Sequence, residues 1–109
     1  MLFVCSRNRL RSPTAEAVFA DTDGIETASA GTGADAEEVV SGELLQWADL
    51  ICVMEARHKR ALTRDHGRWL RGKRIVVLNI PDRYDYMDPE LVALLRERVD
   101  PHLRTRGPS

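Results

Sequence analysis

The chain has 109 residues, 43% of them hydrophobic and 30% charged, with a formal net charge of −1. This is enough for a single domain over 1–109 with its own core, and no apolar run reaches the ~18–20 residues that a membrane span needs. Met1-Leu2-Phe3-Val4 is too short for a signal peptide, and two cysteines 47 positions apart are neither a disulfide framework nor a paired zinc site, so the composition predicts a reducing, cytoplasmic setting.

Leu2-Phe3-Val4-Cys5 is a short apolar run that predicts a buried strand ending at a loop. Polar, basic residues follow from Ser6 to Arg11. Ser12-Pro13 then has the form of an N-cap with proline at the first helical position, and Ala15, Val18 and Phe19 share one face of a helix over 13–21. Ile25 to Ala30 is a second strand running into Gly31-Thr32-Gly33. After a loop through Val40 comes a short helix near 41–48. Leu50 to Met54 is continuous apolar sequence, as in a strand covered on both faces. Residues 56–66 are basic and helix-prone. Arg74 to Ile80 is a fourth strand, Pro81 to Met87 a loop, and Asp88-Pro89 starts a last helix running to about Val99. Pro101 and Gly107-Pro108 mark a fraying tail. Strands alternating with helices predict a parallel sheet with right-handed crossovers, an α/β sandwich whose ligands bind at the carboxyl ends of the strands.

Charge is strongly segregated. Residues 1–14 carry +3, residues 15–55 carry ten acids and no Lys or Arg, and residues 56–74 carry eight bases against Asp65 alone. Such an arrangement can steer an anion to one face, although the basic block also suits a solvated helix face.

Cys5-Ser6-Arg7-Asn8-Arg9-Leu10-Arg11-Ser12 lies between a buried strand and a helix start. A tight loop there directs successive backbone N–H groups into one concavity, to which the helix N-terminus adds its positive end. Arg11 can grip two oxygens of a tetrahedral oxyanion. The same field favours a thiolate at Cys5, in line to attack a bound phosphate, and Ser12 can donate its hydroxyl to the sulfur.

Cys-x5-Arg-Ser-Pro preceded by Leu-Phe-Val resembles the low-molecular-weight protein tyrosine phosphatases. The likeness continues through Ala15-Glu16-Ala17-Val18-Phe19, Ser29-Ala30-Gly31-Thr32, Ala48 to Glu55, and Asp82 to Leu91. It implies a three-layer sandwich with a four-stranded parallel sheet of order 2-1-3-4. It also implies a metal- and cofactor-free, two-step hydrolysis through a cysteinyl phosphate. By that likeness Cys5 is the nucleophile, Arg11 the clamp and Ser12 the thiolate partner. Ser6, Arg7, Asn8, Arg9 and Leu10 complete the phosphate loop, and Asn8 fixes its unusual backbone. Asp82 is the general acid, with Asp85 as the alternative. Tyr84 flanks the pocket or caps a sheet edge, while Tyr86, Trp47 and Trp69 pack.

Three departures from the family bear on substrate. Leu10 replaces a cysteine beside the clamp, Arg7 and Arg9 point to an unusually anionic or doubly phosphorylated substrate, and residues 33–40 are too few for the family's aromatic wall. The expected partners are a phosphorylated protein or small phosphoester, on a monomer or weak dimer with no membrane role. Competing readings are a binder of, or phosphatase for, RNA or nucleotide ends, and an arsenate reductase that would draw on Cys52. Histidines 58, 66 and 102 read as surface residues, and Cys52 as a buried strand residue.

Overall fold

The computed structural model describes residues 1–104; the Gly107-Pro108 reading lies outside them. Four strands, β1 (Leu2–Cys5), β2 (Ala28–Gly31), β3 (Leu50–Val53) and β4 (Arg74–Val77), alternate with helices α1 (Arg11–Phe19), α2 (Gly42–Trp47), α3 (Ala56–His66) and α4 (Pro89–Arg104). The sheet is parallel throughout, in the order β2-β1-β3-β4. The two inner strands are both apolar at every position, as a sheet covered on two faces demands.

Strand alternation sorts the core into two layers. Phe3, Cys5, Leu50 and Cys52 face one side, where they meet Ala15 and Phe19 of α1 and Leu91, Leu95 and Val99 of α4. Leu2, Val4, Ile51 and Val53 face the other, against Leu45 of α2 and Leu62 of α3. Phe3 and Phe19 stack with ring centroids 5.8 Å apart. Full burial of each such side chain contributes about 1.5–3 kcal/mol. These rings hold α1 against β1, and so hold the loop between them.

Several boundaries differ from the sequence reading for identifiable reasons. Helix α1 begins at Arg11, and Ser12 is not its cap: the N-cap is Leu10, without a side-chain bond, because the Ser12 hydroxyl turns inward. Pro13 is tolerated because first-turn N–H groups have no intrahelical acceptor. Strand β4 ends at Val77. The chain then continues through Leu78, Asn79 (φ 58°) and Ile80, with the Leu78 and Ile80 amides donating to Val53 and Met54. Helix α4 passes through Pro101 to Arg104 instead of fraying near Val99, carrying Leu103 onto the first core layer. Trp69 packs against the second layer, whereas Trp47 is exposed.

Candidate active site

The carboxyl ends of β1 and β4 and the start of α3 converge on a cleft of about 550 Å³ lined by Cys5, Ser6, Arg7, Arg9, Leu10, Arg11, Arg57 and Asp82. Its floor is the turn from β1 into α1. Asn8 adopts φ 56°, a left-handed conformation that asparagine tolerates better than most residues. This aims the Asn8 N–H at the Cys5 sulfur, 3.3 Å away.

The carbonyls of this turn are drawn outward. Those of Cys5, Ser6 and Arg7 accept from the N–H groups of Thr32, Gly33 and Glu37, at 2.9, 2.9 and 3.1 Å. The N–H groups of Arg7, Arg9, Leu10 and Arg11, by contrast, have no acceptor among the described residues. With the carbonyl dipoles turned out, donors are left for an anion. Gly31 permits this wrapping: a Cβ there would sit 2.5 Å from the Ser6 carbonyl oxygen and 2.6 Å from the Ala36 Cβ. Residues 32–38 therefore back the loop and build no wall over the cleft, and no aromatic side chain lines it.

Cys5 Sγ lies 2.9 Å from Ser12 Oγ, which also donates to Asn8 Oδ1 at 2.9 Å. A hydroxyl has one proton. While the sulfur is protonated, it can donate to Ser12 and Ser12 to Asn8. Once the sulfur ionises, the Ser12 proton can turn toward it.

Arg11 is almost fully buried, with 3% of its side chain exposed. Its Nη1 donates at 2.7 Å both to Glu55 Oε1 and to the Ile80 carbonyl. That fixes the guanidinium plane and leaves Nε and Nη2 without a hydrogen bond among the described residues. Two adjacent donors on one edge match two oxygens of a tetrahedral anion. The Asp82 carboxylate, 58% exposed, stands 3.7 Å from Arg11 Nε.

Glu55 and His58 were not recognised from sequence, nor was Arg57's place at the cleft. Glu55 Oε1 receives Arg11 and also Arg57, whose Nη2 lies 2.9 Å away. Burial raises the Glu55 carboxyl, but the bonds from the two guanidiniums outweigh it and hold the group below the usual carboxylate range.

His58 corrects the surface reading: it is 1% exposed. Its Nδ1 accepts the Glu55 N–H at 3.0 Å, so the neutral ring carries its proton on Nε2, 2.9 Å from Ser6 Oγ, and donates there. Burial, then the charges of Arg11 and Arg57, push its pKa down to about 4, against smaller opposing effects of Glu55 and Asp82. One signal was available. His58 lies four residues before Leu62, the apolar anchor of α3, and hence on the same inward face.

Tyr84 does not flank the cleft. It is 8% exposed and packs in the first core layer, with Arg83 over its ring. Tyr86, expected to pack, is 53% exposed. Asp85 is not among the cleft-lining residues. Asp88 accepts the Glu90 N–H at the start of α4, as a cap should. Cys52 is fully buried in β3, where burial pushes its thiol up to about 12. The described residues contain no cluster of three or more His, Cys, Asp or Glu side chains placed to hold a metal ion, and no helix there is long and apolar enough to cross a membrane.

The parallel α/β fold and a cleft that brings a cysteine, an arginine and an aspartate together are what the comparisons with known proteins bear on. Residues 1–46 match the profile of the family described as low molecular weight phosphotyrosine protein phosphatase. Wzb from Vibrio vulnificus, solved in complex with benzylphosphonate, is 25% identical with a TM-score of 0.77, over 95% of this chain and 96% of its own. A YwlE mutant from Bacillus subtilis is also 25% identical, with a TM-score of 0.70 over 94% and 97%. The YwlE arginine phosphatase from Geobacillus stearothermophilus is 23% identical, with a TM-score of 0.72 over 95% and 92%. No curated protein sequence matches. The chain is thus similar to the low-molecular-weight phosphatases, in sequence over its first 46 residues and in fold over nearly its whole length. The matched family model and the solved neighbours indicate a phosphatase, a hydrolase.

Proposed function

We propose that the protein is a metal-independent phosphomonoesterase that works through a cysteinyl phosphate on Cys5. In the first step the Cys5 thiolate attacks phosphorus. The S–P bond forms, the ester P–O bond breaks, and the Asp82 carboxyl gives its proton to the leaving oxygen. In the second step the Asp82 carboxylate takes a proton from water. The new P–O bond forms, the S–P bond breaks, and inorganic phosphate leaves with the thiolate restored. The open loop amides of residues 7 and 9–11 and the free edge of Arg11 stabilise the oxygens around phosphorus in both transition states. Ser12 steadies the thiolate as it departs.

The observation that carries this reading is the sulfur itself, seated 2.9 Å from Ser12 Oγ and 3.3 Å from the Asn8 amide in a cleft lined also by Arg11 and Asp82. Asp82 is preferred over Asp85 because only Asp82 lines the cleft. The substrate class is a phosphorylated protein side chain or small phosphoester, acted on by a cytoplasmic enzyme. Arsenate reduction is not favoured, since the second thiol, Cys52, is sealed in the sheet and held protonated.

The test is turnover of para-nitrophenyl phosphate. Cys5→Ser should lose at least about 10³-fold in kcat, and acid quenching of the wild type should trap phosphate on Cys5 by mass spectrometry. Undiminished turnover by Cys5→Ser would refute the assignment.

A further inference from the structure

The cleft mouth carries more cationic groups than a phosphate monoester needs. Arg11 is committed to the reacting phosphate, yet Arg7, Arg9 and Arg57 line the same opening. Neither Arg7 nor Arg9 is firmly engaged elsewhere. Arg7 meets Asp35 at 3.8 Å and Arg9 meets Glu37 at 3.9 Å, each through a single long contact between side chains more than half exposed. Exposed pairs of this kind contribute about 0–1 kcal/mol, so an incoming carboxylate can displace them at little cost. Arg57 is held at the rim by Glu55, donating from Nη2 at 2.9 Å and Nε at 3.3 Å to the oxygen that also receives Arg11, and its Nη1 has no hydrogen bond among the described residues. Arg60 follows one turn later on the same face of α3, exposed and with no ion pair or hydrogen bond among the described residues. Cations thus stand on two sides of the opening, on the loop after β1 and on the first turns of α3.

From this placement we infer that the enzyme takes phosphopeptides whose phosphorylated residue is flanked by acidic side chains, read by Arg7 and Arg9 on one side and by Arg57 and Arg60 on the other. The inference rests on the phosphatase reading above and names its substrate class. Guanidinium forks suit carboxylates, and an extended peptide advances about 3.3 Å per residue, so neighbouring side chains fall within reach of successive arginines. A nucleic-acid end would also bring negative charge. It is the weaker fit, because sequence-tolerant strand binding relies on aromatic faces for the bases, and none lines this cleft.

The experiment measures kcat/KM on phosphotyrosine and phosphoarginine heptapeptides with acidic, neutral or basic flanks, alongside para-nitrophenyl phosphate and a 5′-phosphorylated oligoribonucleotide. Cys5→Ser is the blank throughout. On the better phosphoresidue, the acidic peptide should exceed the neutral one by about tenfold at about 20 mM salt, with the advantage shrinking at about 500 mM. Arg9→Gln and Arg60→Gln should each lower the acidic-to-neutral ratio about two- to threefold.

Equal values for acidic and neutral flanks, or turnover of para-nitrophenyl phosphate but of neither peptide, would overturn the substrate class while leaving the phosphatase reading intact. So would a preference for the oligoribonucleotide over every peptide. Absence of Cys5-dependent turnover on all substrates would overturn both.

Discussion

Between about pH 6.5 and pH 4 the native chain resists a proton that the unfolded chain accepts, because His58 is buried and its Nδ1 already receives the Glu55 N–H. An unfolded histidine titrates near 6.5, and the native one at about 4. Over that interval the unfolded state binds more protons, so stability is greatest above pH 6.5 and falls as the pH drops toward 4. The full shift corresponds to roughly 3 kcal/mol, and to about half that once screening at the open cleft is allowed for. On a marginally stable small domain, this lowers Tm by roughly 6–15 °C. Urea unfolding of the wild type and of His58→Asn at a series of pH values isolates the effect, since the carboxylates titrate in both. The difference in stability between the two proteins should narrow by about 1.5–3 kcal/mol on going from pH 7 to pH 4. Parallel curves would refute the reasoning, for they would mean that the ring is not held neutral by its surroundings.

Other outcomes follow from the same geometry. Asp82→Asn should slow esters with poor leaving groups about 10²-fold or more, while changing activated aryl esters far less; the same selective loss in Asp85→Asn would reverse the assignment. Gly31→Ala forces a methyl group against the Ser6 carbonyl and Ala36, and should cost about 1–3 kcal/mol in urea unfolding together with activity, because the loop and its backing segment must part. Iodoacetamide on the native protein near pH 7 should label Cys5 but not Cys52, whose thiol is buried and held protonated. Two labels per native chain by mass spectrometry would contradict that burial.

The parts of this molecule that were legible in its sequence are those written in contiguous residues. The apolar runs at 2–5 and 50–54, the loop from Cys5 to Arg11 and the cap at Asp88 carry their signals locally, and the alternation of strands and helices gives the sheet. What was missed depends on pairs far apart in the chain. His58 is identified only by Ser6, 52 residues away, and Glu55 only by Arg11, 44 residues away. In a short helix rich in Arg and Lys, the spacing of His58 to Leu62 is the one local hint that the first turn reaches under a distant loop. Ser12 shows competition between two roles. A serine before a proline has the form of a cap, but the hydroxyl finds a stronger use on the Cys5 sulfur and Asn8. Tyr84 packs and Tyr86 is exposed, against the sequence reading, because the register of a loop against α1 is set by contacts such as Met87 N–H to Thr14 Oγ1 and not by the loop's own residues.

The register of the two central strands has a chemical corollary for oxidative stress. Cys52 pairs with Phe3, so Cys5 lies two residues beyond it on the adjacent strand. The Cα separation implied by strand spacing and rise is roughly 8 Å, past the ~7 Å limit for bridging two cysteines without moving the backbone. Leu10, beside the clamp, supplies no sulfur. A sulfenic acid formed on Cys5 by peroxide therefore has no nearby partner with which to close a protective bond, and further peroxide carries it to the sulfinic and sulfonic acids. In this chain peroxide acts as a fuse, where a neighbouring thiol would have made it a reversible switch.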